Sequence, residues 1–292
     1  MDAPAPGSRF RFVQLELPWA LGPADGRYVL RGHAGEPEHV LVLETVGTPP
    51  RRRRLSRRAA RARRVESGQA PPALAPLTVA TLVAAAPLGG EDEAVAWLEA
   101  ADLVAEVARA VDVLNGVLHA ERVVRADPFV REIAPAQALA IRVGVGRGEE
   151  VAEGEWTDAR LVPSAAIAPP RRDRALRPNE RFAALLAGRD VALAAEELTL
   201  RARLDLDRGR TREAALQLRI ALEAALAELQ AWSHHEELAS RLAALRAERP
   251  AVGAAANRAL EGGLDAEQID DLARVLGRLE AALAARVAGG LE

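Results

Sequence analysis

Nine arginines, Arg51, Arg52, Arg53, Arg54, Arg57, Arg58, Arg61, Arg63 and Arg64, fall within fourteen residues of the stretch PPRRRRLSRRAARARRVESGQAPP. A guanidinium is a planar fork that holds phosphate or carboxylate through paired N–H donors, so this run has the chemistry to grip a polyanion or an acidic protein surface. No aromatic residue is interleaved in it. Without a stacking platform, any nucleic-acid contact would be to backbone charge and not to base sequence. Ser56, within RRLS, matches the pattern of a basophilic kinase site, and a phosphate there would subtract charge from the run.

Three other clusters could do chemistry. WSHHEEL offers His234, His235, Glu236 and Glu237, with His234 and Glu237 on one helical face. A carboxylate-bridged metal centre in a helical bundle needs Glu-x-x-His twice plus further glutamates, whereas this order is reversed and single, so solvated surface residues are expected. VGVGRGEE sets Gly144, Gly146 and Gly148 behind an apparent strand, like a dinucleotide-binding turn. The third glycine is one position early, and Glu149 and Glu150 would face the phosphates; tight strand packing and a turn are the expected reasons for these glycines. None of the serines (Ser8, Ser56, Ser67, Ser164, Ser233, Ser240) lies in a Gly-x-Ser-x-Gly elbow. The acid pairs Asp205 with Asp207 and Asp270 with Asp271 are expected near helix ends, as caps and dipole partners.

Composition removes further classes. The 292 residues contain no cysteine, which excludes disulfides, thiolate nucleophiles, cysteine zinc sites and iron–sulfur clusters. All 39 basic residues are arginine, so Schiff-base chemistry and the phosphate-loop lysine are excluded too. The absence of lysine also means that arginine supplies every fixed cation, which weakens the meaning of any arginine cluster. Thirteen arginines against seven acids precede Pro71, and twenty-six against thirty-five follow, so a +6 segment is joined to a −9 remainder. MDAPAPGSRF has no apolar run of the kind a secretory signal carries. The uncharged stretch from Pro71 to Gly90 is interrupted by Pro71, Pro72, Pro76 and Pro87, leaving ten unbroken residues. A spanning helix needs about 20, so no membrane partner is expected, and a cytoplasmic location is.

The elements that must carry these groups follow from periodicity. RFRFVQLELP alternates with a change of phase near Val13, which predicts a strand with a bulge. RYVLRG and HVLVLETVG complete a three-stranded meander, and TVATLVAA beyond the arginines reads as a fourth strand. Apolar residues at Leu103, Val107, Val111, Leu114 and Leu118 predict one long amphipathic helix from about Glu91 to Val124. ALAIRVGVG predicts one more strand. IAPPRRDRALRP reads as a linker, and from Asn179 the pattern is helical, punctuated by Gly209, Pro250 and EGGLD into four or five helices.

Within that region LDLDRGRTREAALQLRIALEAAL sets Gly209 in a turn and Ala214, Leu218 and Ala221 at second-helix spacing. The stretch resembles one helix-turn-helix unit of the tetratricopeptide family, which implies a close antiparallel hairpin and a protein-binding role. AEGEWTDARL, with Gly154, Trp156 and Ala159, echoes the same turn pattern 55 residues earlier, a spacing that departs from that family's 34-residue period.

The expected architecture is α+β: a small antiparallel sheet with one long packed helix over residues 1–168, carrying the arginine-rich insertion at about 49–74. A linker at 169–178 and an all-helical bundle over 179–292 follow. The expected function is a non-enzymatic interaction or scaffold protein whose helical module binds a protein partner and whose arginine loop contacts an acidic partner. Binding of a polyanion or nucleic-acid backbone through that loop is the alternative, and an enzyme acting on a small molecule in a cleft near 144–156 is the third reading. No cofactor and no metal are expected.

Overall fold

The computed structural model describes residues 7–32, 34–47, 75–163 and 178–288. Backbone proximity divides the chain into two compact units, Met1–Ala168 and Pro169–Glu292.

The first unit is built on an antiparallel sheet of six strands: β1 (Phe10–Leu17), β2 (Gly26–Arg31), β3 (Pro37–Val46), β4 (Leu77–Ala84), β5 (Ala140–Gly146) and β6 (Trp156–Leu161). Their spatial order is β2-β3-β4-β1-β5-β6. β1 is therefore central, and this explains its sequence. Val13, Leu15 and Leu17 point into the core shared with helix α2 (Leu103–Arg125), where they meet Val107, Val111 and Leu114. Phe12 points to the opposite face and packs with Val83 and Val151, flanked by Phe10 and Val40. The bulge expected near Val13 is absent: the pairing runs unbroken from Phe12↔Val83 to Leu17↔Thr78 and from Phe10↔Gly146 to Glu16↔Ala140. The change of apolar phase arises because both faces of the strand are covered, not because its register slips.

The single helix expected over 91–124 is two helices, α1 (Glu91–Ala100) and α2. Ala101 is extended, and the Asp102 carboxylate accepts from the N–H groups of Val104 and Ala105, each at 3.1 Å. An N-cap of this kind satisfies donors that a continuous helix would have used internally, so the break is stable without proline or glycine. Farther along α2, Asn115 is fully buried. Its amide donates to the Ile133 carbonyl at 2.9 Å and accepts from the Ile133 N–H at 2.8 Å, which ties the segment after α2 to the helix. A buried amide satisfied on both sides stabilises; half satisfied, it would cost.

β6 is a further correction. AEGEWTDARL, which echoes the hairpin turn pattern in sequence, is the end of a 3-10 turn, Gly148–Glu153, followed by an edge strand. Gly154 adopts φ +90°, the Trp156 indole N–H donates to the Val151 carbonyl at 2.9 Å, and β6 then pairs with β5.

In the second unit the described residues form five α-helices: α3 (Pro178–Leu186), α4 (Ala194–Asp207), α5 (Thr211–Glu228), α6 (Glu236–Glu261) and α7 (Ala266–Ala288). α4 and α5 form a close hairpin around Gly209, whose φ of +68° lies in the left-handed region that favours glycine. Ala214, Leu218 and Ala221 are fully buried in the interface, and small side chains at such positions let helix backbones approach. Pro250, read in the sequence as punctuation, lies inside α6. A proline removes one helical hydrogen bond, and twenty-six residues of helix with a packed face absorb that loss.

Candidate interaction site

The nine arginines and Ser56 lie outside the described residues, as does most of the stretch taken as a linker. The flanks of the arginine run are described. β3 and β4 are adjacent strands, with Val46 paired to Leu77.

Gly144 and Gly146 serve packing, and Gly148, at φ +57°, serves the turn. A Cβ on Gly144 would lie 2.4 Å from the Asp158 carbonyl oxygen and 2.8 Å from the Phe12 ring, and one on Gly146 would lie 2.3 Å from Val151. Val151 is fully buried on the Phe12 face, so the 3-10 turn fills the space that a cleft near 144–156 would require. Glu149 is engaged by Arg27 of β2. On the same side of the sheet Arg142 pairs with Glu16, donates to Gln14 at 3.2 Å and lies over the Trp156 ring at 5.4 Å, while Gln14 donates to Thr81 at 3.0 Å. These polar groups are engaged with one another.

The histidine–glutamate cluster stands at the start of α6. His234 and His235 lie ring against ring at 4.1 Å, Glu237 pairs with Arg241 at 2.6 Å, and Glu236 and Glu237 occupy the first helical turn, where negative charge complements the helix dipole. Among the described residues no three histidine, aspartate or glutamate side chains are grouped so as to hold a metal ion. No helix of the described residues is long and apolar enough to cross a membrane.

A denser charge assembly holds α3 and the ends of α4 and α7 together. Arg286, 6% exposed, lies over the Trp232 ring at 4.7 Å and donates to Asp190 at 2.8 Å. Arg181 donates to Asp190 at 3.0 Å and to both Glu196 oxygens at 2.7 and 2.8 Å. Burial alone would raise the Asp190 carboxyl, but the hydrogen bonds from Arg181, the Val191 N–H and Arg286 outweigh it and hold the group below its ordinary value of 3.8. Two arginines face two carboxylates, so the assembly is neutral in charge, and it serves the fold.

A surface with unmatched charge lies between α5 and α6. A solvent-open cleft of about 440 Å³ is lined there by Arg219, Glu223, Arg246, Arg249 and Pro250, over Leu222 and Val252. Cross-helix contacts set the antiparallel register: Arg219 donates to Asn257 at 3.2 Å, Arg249 grips Glu223 with both arms at 2.8 and 2.7 Å, and Arg246 donates to Gln230 at 2.5 Å. Of these three, only Arg249 has a carboxylate partner among the described residues; Arg219 and Arg246 meet neutral amide oxygens. Sequence reasoning missed this site because its residues come from two helices whose register only the fold reveals. The one local signal was RAERP, two arginines three apart ahead of a mid-helix proline.

No protein-family model matches the chain, and no curated protein and no solved structure is significantly similar to it.

Proposed function

We propose that the protein is a non-enzymatic interaction protein whose helical unit docks on a protein partner, with the arginine run contacting acidic groups of that partner. The observation that carries this reading is that α3 and α4 each expose a pair of large apolar side chains at one-turn spacing, on α4 beside the exposed charged residues Glu197 and Arg201. On α4, Ala195, Thr199 and Ala202 are buried in the bundle, yet Leu200, one turn before Leu204 on the opposite side, is 66% exposed. On α3, Phe182 and Leu186, also four apart, are 63% and 74% exposed. Single exposed leucines are ordinary, but apolar pairs at one-turn spacing on two neighbouring helices form the kind of surface that partner helices cover.

The test places a photo-crosslinking residue at Leu200 of the full-length chain. One partner should be trapped reproducibly, and Leu200→Glu with Phe182→Glu should abolish its capture at another labelled surface position while the chain stays folded. Equal capture by that variant overturns the reading.

A second reading, binding of a polyanion backbone, is favoured by the arginine density alone and makes a separate demand. Contacts to about six phosphates would lower affinity about a thousandfold between 50 and 200 mM salt.

A further inference from the structure

We infer that the cleft between α5 and α6 is a docking site for an acidic peptide segment. This rests on the interaction reading above and gives the chemistry of the partner. Charge complementarity comes first: three arginines line the cleft against one glutamate, and two of them, Arg219 on α5 and Arg246 on α6, have no carboxylate of their own among the described residues. They stand on opposite walls, so a ligand lying along the cleft meets a fork from either side. A carboxylate would replace the neutral oxygens of Asn257 and Gln230 with charge-assisted, bidentate bonds.

The cleft also favours a peptide over a phosphate backbone. Pro250 has no N–H to give to the carbonyl of Arg246 four residues before it, so a residue lining the cleft carries a backbone acceptor that lacks its helical donor. A peptide N–H can satisfy that acceptor; a phosphodiester, which has only acceptors, cannot. The cleft contains no aromatic ring for a base to stack on, and its apolar part, Leu222, Pro250 and Val252, suits an aliphatic side chain set between acidic ones.

The experiment titrates the full-length chain into a fluorescein-labelled peptide of sequence Glu-Glu-Leu-Glu-Glu, with the glutamine counterpart and a heparin hexasaccharide as parallel probes. The glutamate peptide is expected to bind, and Arg219→Gln with Arg246→Gln to weaken it at least about tenfold, the size of one lost charged hydrogen bond. Arg201→Gln, on an exposed face of α4, should leave the affinity unchanged. Glu223→Gln should strengthen binding several-fold by releasing Arg249, a gain that misfolding cannot produce. Equal binding of the glutamine peptide, insensitivity to the double arginine variant, or heparin binding that depends on these arginines while the glutamate peptide does not bind would each overturn the inference. A partner crosslinked through Leu200 whose capture ignores Arg219 and Arg246 retires the acidic-peptide assignment and leaves the interaction reading standing. Loss of crosslinking with the peptide titration intact does the reverse.

Discussion

Gly144 shows how one position decides between two chemistries. Had the glycines of VGVGRG cradled a phosphate, a methyl at Gly144 would meet a ligand; in the fold it meets the Asp158 carbonyl and the Phe12 ring inside 3 Å. Gly144→Ala is therefore expected to destabilise the sheet unit by about 2 kcal/mol through overpacking, measurable by urea denaturation followed on tryptophan fluorescence. A neutral result would mean that β5 and β6 can separate at no cost. Asp190 makes a second case. Its folded pKa is depressed, so it contributes stability that is present above its ordinary value of 3.8 and is lost as pH falls through the lower folded value. Asp190→Asn should cost about 2 kcal/mol at neutral pH, since it weakens charged hydrogen bonds to Arg181 and nearly buried Arg286. The gap between variant and parent should hold to about pH 5 and close below pH 4. A gap independent of pH would detach the effect from the charge.

At the scale of elements, legibility followed the source of each signal. Strands β1 to β5 were readable because their signals are local: alternation and turn residues for most, and for β4 a run rich in threonine and valine between Pro76 and Pro87. β6 was not, since an edge strand with both sides largely solvated has no apolar period to detect. The division of α1 from α2 escaped because no proline or glycine marks it, while the break itself rests on one carboxylate, Asp102. That makes Asp102→Ala informative: loss of a capping side chain costs about 1 kcal/mol. The expected readout is faster amide exchange at Val104 and Ala105, with the rest of α2 unchanged. Pro250 erred the other way, since a strong local breaker was overruled by a helix packed along its whole length. The α5–α6 cleft was illegible for a third reason, as it depends on pairings such as Arg249 with Glu223 that no local rule supplies.

At the scale of the whole molecule, charge is divided between a basic stretch set within the sheet unit and an acidic remainder, and the two readings of that division diverge under salt. The described residues that flank the stretch, Gly47 and Ala75, follow β3 and precede β4, which are adjacent strands of one sheet. Replacing all nine by glutamine removes +9 from a chain of net charge −3. If the stretch binds polyanions, retention of the parent on heparin should fall about a thousandfold between 50 and 200 mM salt and vanish in the variant. If it serves an acidic protein partner, heparin retention should be weak, while crosslinking through Leu200 falls several-fold in the variant and responds far less steeply to salt, because most of the contact would be apolar. A variant that matches the parent in both assays would make the run a consequence of arginine being the chain's only fixed cation, with the helical unit carrying the interaction alone.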